Sequence, residues 1–162
     1  MINKRITYLF LIVIFQAVHF NSMSQGFEKL SGRKTGIKFQ NKLIENQQTN
    51  ILTYEYFYNG GGIAIGDINN DGLEDLFFTG NMTPNTLYLN QGAFKFKNIG
   101  KASGVRGKDA WSTGATMVDI NGDGYLDIYV CYSGKGNEAS RKNELFINQQ
   151  DNTFINEAEK YG

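Results

Sequence analysis

The chain has 162 residues, with 16 basic and 16 acidic side chains. That length suits one ordinary domain or part of a larger one, and 41% hydrophobic with 14% aromatic residues is enough for a packed interior, which excludes wholesale disorder. With no basic excess to release counterions from phosphate, the charge also excludes nucleic-acid binding by bulk electrostatics.

Lys4 and Arg5 precede a mostly apolar run from Ile6 to Phe20, followed by Asn21-Ser22-Met23-Ser24. Charged, apolar and small-residue regions in this order predict a secretory signal over residues 1–24, cut after Ser24. The alternative, a membrane anchor, needs about 20 apolar residues, and this run is shorter and interrupted by Thr7, Gln16 and His19. Cleavage leaves 14 basic against 16 acidic side chains, so the expected mature chain is mildly acidic, exported and free of a membrane-spanning segment. It also removes His19, the only histidine, and with it any Ser-His or Cys-His pair and any imidazole-ligated zinc. A single cysteine, Cys131, excludes an internal disulfide and a Cys-rich metal cluster.

Downstream of this segment the sequence repeats. Asp67-Ile68-Asn69-Asn70-Asp71-Gly72-Leu73-Glu74-Asp75 recurs as Asp119-Ile120-Asn121-Gly122-Asp123-Gly124-Tyr125-Leu126-Asp127, an offset of 52. Asn85 to Gln91 recurs as Asn143 to Gln149, and Phe96-Lys97-Asn98 as Phe154-Ile155-Asn156, both offset by 58. The difference falls in polar Ser133 to Lys142, which reads as a lengthened surface loop. Each unit reads as four short strands. Gly62 to Ile65 and Gly114 to Val118 enter the acidic loop, and Leu76 to Phe78 and Ile128 to Val130 leave it. Leu87 to Leu89 and Leu145 to Ile147 follow, and the fourth strands centre on Phe96 and Phe154. Four strands in roughly 50 residues predict a propeller blade. Upstream, Phe39-Gln40-Asn41 echoes Phe96-Lys97-Asn98 at an offset of 57. It reads either as the last strand of a ring-closing blade or as a chance match of a short pattern.

Six of the eight aspartates lie in the two nine-residue stretches. Side-chain oxygens stand at positions one, three, five and nine, with Gly72 and Gly124 at position six supplying a sharp turn, and the Leu73 and Tyr125 carbonyls at position seven able to point inward. The candidate metal ligands are therefore Asp67, Asn69, Asp71, Leu73 and Asp75 in one loop, and Asp119, Asn121, Asp123, Tyr125 and Asp127 in the other. An all-oxygen, flexible, high-coordination set suits Ca²⁺ better than Mg²⁺ or a thiophilic metal. An EF-hand is rejected, because its position-twelve Glu is replaced by Phe78 or Val130 and the flanks favour strands. The competing reading is an acidic Asx-turn between strands. Against it, three aspartates converging without a cation would repel, and both copies keep one register.

Asp-x-Asn-x-Asp-Gly-x-x-Asp between short strands resembles the FG-GAP/VCBS repeats of integrin-α-like β-propellers. Tyr58-Asn59-Gly60-Gly61-Gly62, Trp111-Ser112-Thr113-Gly114 and Asn143 to Asn148 are similar to exported bacterial VCBS-repeat proteins of the ASPIC/UnbV group. The resemblance covers about Phe27 to Gly162, although literal Phe-Gly and Gly-Ala-Pro signatures are absent. It implies an all-β fold, two four-stranded blades of an integrin-α-like propeller forming a partial ring. It also carries calcium ligation onto Asp67, Asn69, Asp71, Asp75, Asp119, Asn121, Asp123 and Asp127. The expected organisation is a signal peptide over 1–24, an N-terminal segment with the possible closing strand over 25–50, and repeats over 51–106 and 107–162. Because a propeller needs about 4 to 8 blades, two would leave Leu76, Phe78, Ile128 and Val130 poorly covered. The chain thus reads as an N-terminal fragment or truncated product whose remaining blades belong to a longer chain.

Tyr54, Tyr56, Phe57 and Tyr58 could stack on sugar rings, but strand packing is the plainer use; Trp111 reads as blade core and Cys131 as a small buried hydrophobe. Arg33, Lys34 and Lys38 read as a solvated face. The expected function is an exported calcium-binding module for an unknown protein or glycan ligand, with no catalysis in this segment. The alternative is a fragment of a cell-envelope enzyme with its active site elsewhere. Asp109, Asp151 and the scattered glutamates form no paired pattern of the kind glycoside chemistry uses.

Overall fold

The computed structural model describes residues 26–134 and 136–162; the expected signal segment lies outside them. The chain divides into two units, residues 1–30 and 31–162, and of the first the described residues 26–30 carry no regular secondary structure. Among the described residues no helix is long and apolar enough to cross a membrane.

The second unit begins with a one-turn helix, α1 (Gly32–Thr35), capped by the Ser31 hydroxyl, and an irregular stretch to residue 62. Eight strands follow as two four-stranded antiparallel sheets in sequence order. The first holds β1 (Ile63–Gly66), β2 (Asp75–Phe78), β3 (Thr86–Asn90) and β4 (Phe96–Asn98). The second holds β5 (Trp111–Val118), β6 (Asp127–Ser133), β7 (Glu144–Asn148) and β8 (Phe154–Asn156). These are the two expected blades, all-β and of propeller type. Their registers repeat as the sequence offsets require, with Leu76 opposite Tyr88 in one sheet and Ile128 opposite Phe146 in the other.

Side chains alternate across each strand, so one face of β2 turns Phe77 inward and one face of β6 turns Ile128, Val130 and Tyr132 inward. With Leu87, Ile99, Val105, Phe146 and Phe154 they form one core between the blades. A fully buried Phe or Val contributes roughly 1.5–3 kcal/mol there. The blades meet closely at their first strands. A Cβ added to Gly62 would lie 2.8 Å from the Gly114 Cα, which only a glycine avoids.

The expected poor cover of Leu76, Phe78, Ile128 and Val130 changes at this level. Ile128 and Val130 are fully buried, because the first blade covers them. Leu76 and Phe78 are half-buried: Phe78 lies between Phe39, stacked at 5.1 Å, and Tyr88, edge-on at 5.8 Å. The exposed apolar side chains of that face are Ile63 (59%) and Ile65 (62%) on β1. Phe39-Gln40-Asn41 carries no regular secondary structure. It docks on the first blade through side chains, with Lys38 N donating to Tyr88 Oη at 3.1 Å and Asn81 N donating to Asn41 Oδ1 at 3.0 Å. The loop after β6 carries a one-turn helix, α2 (Glu138–Arg141), capped by Asn137 and tied down by Lys108 Nζ, which donates to the Ala139 carbonyl at 2.9 Å and also to that of Lys142. A final turn, α3 (Ala158–Tyr161), follows β8.

Candidate metal centre

Each acidic loop joins the first and second strands of its blade, and the two copies share a hydrogen-bond scheme to which the second adds Gly122 N donating to Asp119 Oδ1 at 2.8 Å. Asp67 Oδ1 accepts Asp71 N at 3.1 Å and Asp67 Oδ2 accepts Gly72 N at 2.7 Å; Asp119 takes Asp123 N and Gly124 N at 3.1 and 2.9 Å. Asn69 Oδ1 accepts Asp71 N and Asn121 Oδ1 accepts Asp123 N. Asp71 and Asp123 accept the N–H of Leu73 and Tyr125, both at 2.9 Å, and the side-chain amides of Asn69 and Asn121, both at 3.0 Å. The turn needs left-handed backbone at two positions. Gly72 and Gly124 stand at φ 83 and 86, as expected for position six, but Asn70 and Gly122 at position four are also left-handed, at φ 58 and 73.

The position-nine acids are set apart. Asp75 and Asp127 are 0% exposed. Asp75 Oδ2 accepts Ile68 N at 3.1 Å and Oδ1 accepts Asn90 N at 2.7 Å, pinning the loop to the end of β3. Asp127 does the same with Ile120 N at 3.1 Å and Asn148 N at 2.8 Å, at the end of β7. Burial pushes the Asp75 carboxyl up, and the charges of Asp71 and Asp67 add to that, while the N–H groups of Asn90 and Ile68 pull it down. The Tyr125 N–H, helped by the Asn121 and Gln150 amides, holds Asp123 below the usual carboxylate range. These closing acids therefore have a structural task that their spacing alone did not reveal.

Of the ten candidate ligands, eight lie in the two loops, and Asp75 and Asp127 open β2 and β6. Among the described residues, no three carboxylates, imidazoles or thiols gather closely enough to enclose an ion by themselves, and no donor meets the Leu73 or Tyr125 carbonyl. The donor set still fits a hard cation. Each loop offers three carboxylates, one amide oxygen and one carbonyl. All the carboxylate oxygens of the first loop accept a single N–H bond each and keep a lone pair for a metal. In the second loop, by contrast, Asp119 Oδ1 accepts both Gly122 N and Asp123 N, and Asp123 Oδ2 accepts two side-chain amides.

Away from the loops, Phe57 is fully buried against Trp111 at 5.5 Å, so these two rings pack, while Tyr56 and Tyr58 stay exposed. Cys131 is a half-buried free thiol on β6. Asp151 caps a turn through Thr153 N and Oγ1. Sequence reasoning missed a buried polar group at the opposite end of the second blade. Tyr132 Oη donates to Glu144, Asn156 Nδ2 donates to Glu144 Oε1 at 3.2 Å, and Ser112 Oγ donates to Asn85 Oδ1 at 3.0 Å. Burial, reinforced by Glu144, drives the Tyr132 hydroxyl far up. Its sequence signal was a break in the repeat, Glu144 standing where the first blade has Thr86.

Residues 67–130, from the first acidic loop into β6, match the FG-GAP-like repeat family. Over 72 residues the chain is 38% identical to cartilage acidic protein 1 of Xenopus tropicalis, and over 69 residues 32% identical to cartilage acidic protein 1 of Mus musculus. Those matches take in 44% and 43% of this chain but 11% of either relative's length. The chain thus carries an FG-GAP-like repeat that runs from the first of its two propeller-type blades into the second, and spans about a tenth of the relatives it matches.

Proposed function

We propose that this chain is an exported, calcium-stabilised propeller module that binds or adheres to a protein or glycan ligand, is non-catalytic in this segment, and works within a longer ring. The observation that carries the reading is the duplication of one acidic loop whose position-one, -three and -five side chains accept the same backbone N–H groups in both blades. General solubility does not demand such identity at positions one, three, five and nine. The mutual repulsion felt at Asp75 gives a cation something to relieve. The matched FG-GAP-like repeat supports a binding scaffold rather than a reaction centre. Similarity to cartilage acidic protein 1 supports placement outside the cell. Bound there, calcium would be held by Asp67, Asn69, Asp71, Asp75 and the Leu73 carbonyl, and by their counterparts in the second loop. It would supply charge neutralisation and cross-linking within each loop.

The test is thermal unfolding with and without calcium. A site with a Kd on the order of 10⁻⁴ M, held at about a hundredfold excess of calcium, stabilises by about 2.7 kcal/mol. The midpoint should rise clearly in the wild type and stay fixed in the Asp71→Ala, Asp123→Ala double variant. An unmoved midpoint at about 10 mM calcium, a hundredfold over such a Kd, in a folded chain would refute the metal reading.

A further inference from the structure

We propose that Asn70 and Asn148 couple the two acidic loops, so that calcium in one raises the calcium affinity of the other. This rests on the calcium reading above and concerns how its sites communicate. Asn70 stands at position four of the first loop, between the candidate ligands Asn69 and Asp71. Its Nδ2 crosses to the second blade and donates to the Gly124 carbonyl at 3.0 Å. Gly124 stands at position six of the second loop, between the candidate ligands Asp123 and Tyr125. One hydrogen bond therefore joins two residues that are each flanked by ligands of a different site.

Asn148, at the end of β7, makes the second link and is buried. Its backbone N–H donates to Asp127 Oδ1, and its Nδ2 donates both to the Ile68 carbonyl at 2.8 Å and to the Leu126 carbonyl at 3.1 Å. One amide thus holds position two of the first loop and position eight of the second. Its counterpart Asn90 donates to the Glu74 carbonyl at 2.9 Å, inside its own blade. The packing agrees: Ile68 is 1% exposed and its repeat partner Ile120 is 47% exposed, so the first loop is the one seated against its neighbour.

The sign follows from ordering. A cation that fixes Asn69 and Asp71 restricts Asn70 between them, and Asn70 then holds Gly124 in the geometry the second loop needs. The second cation meets a loop whose conformational freedom is already reduced, and by linkage the effect is reciprocal. A single net hydrogen bond corresponds to a coupling of about fivefold.

Calorimetric titration of the full chain with calcium chloride tests this. Asp71→Ala and Asp123→Ala report each loop alone, and the wild type should bind two ions with an overall two-ion association constant about fivefold above the product of the two lone-loop constants. Asn70→Gly removes the donor while keeping every ligand, and glycine suits the left-handed position, as Gly122 does in the second loop. It should bind two ions with the coupling reduced about fivefold. Two independent sites in the wild type, a single site, or cooperativity untouched by Asn70→Gly would overturn the coupling alone. No calcium binding at millimolar concentration would overturn the calcium reading and the coupling together.

Discussion

Asp75→Ala separates the structural acids from the exposed ones. The Asp75 carboxylate is wholly buried and accepts two backbone N–H groups, from Ile68 and from Asn90. Truncation leaves the Ile68 donor without an acceptor in a place water does not reach, at a cost of about 1–3 kcal/mol, and the half-buried Asn90 donor adds about 1 kcal/mol. Part of this is returned because a charged carboxylate no longer has to be desolvated, the effect that raises the Asp75 pKa. A net loss of about 1–3 kcal/mol follows. Asp71→Ala removes an exposed carboxylate whose partners, Leu73 N and the Asn69 amide, turn to water, so it should cost less than about 1 kcal/mol. Urea unfolding of both variants in the presence of chelator reads the difference. At an m-value of about 2 kcal/mol/M, Asp75→Ala should lower the midpoint by about 0.5–1.5 M and Asp71→Ala by less than about 0.5 M. If the two variants fall within about 0.5 kcal/mol of each other without calcium, the clasp assigned to the position-nine acids is wrong.

Proton titration in chelator should separate two loop acids. Asp75, raised by burial, contributes stability that is present below the unfolded-chain value and lost as pH rises through its own; Asp123, depressed by the Tyr125 N–H, contributes stability present above the unfolded value and lost as pH falls through its own. Carboxyl chemical shifts against pH should place Asp75 above Asp123, and the opposite order rejects both assignments. Hydrogen exchange should protect the Lys38 amide, which Tyr88 Oη accepts, and leave Phe39 and Gln40 fast. Tyr88→Phe should release Lys38 while Ala64 and Phe77 stay protected within their ladder, and strand-like protection across residues 37–43 would show that the segment pairs locally.

Much of the architecture could be read along the chain because blade structure is locally written. Four short β-favouring runs separated by turn residues recur at offsets of 52 and 58, and the observed strands and registers follow them. The acidic loops were legible for the same reason, since Asx-turns and glycine at position six are short-range devices. Partner choice across the core was not. Position nine looked like one more ligand, yet only the arrival of β3 and β7 buries Asp75 and Asp127 and gives them backbone N–H groups to hold. Strand alternation marks two faces of a sheet without saying what covers either, so Ile128 and Val130 passed for exposed flanks until the first blade lay against them, and the stacking of Phe39 on Phe78 was not legible. The Asn70 and Asn148 amides show the same limit. Their bonds to Gly124 and Ile68 join residues separated by 54 and 80 positions, and only the packing of one blade on the next decides them.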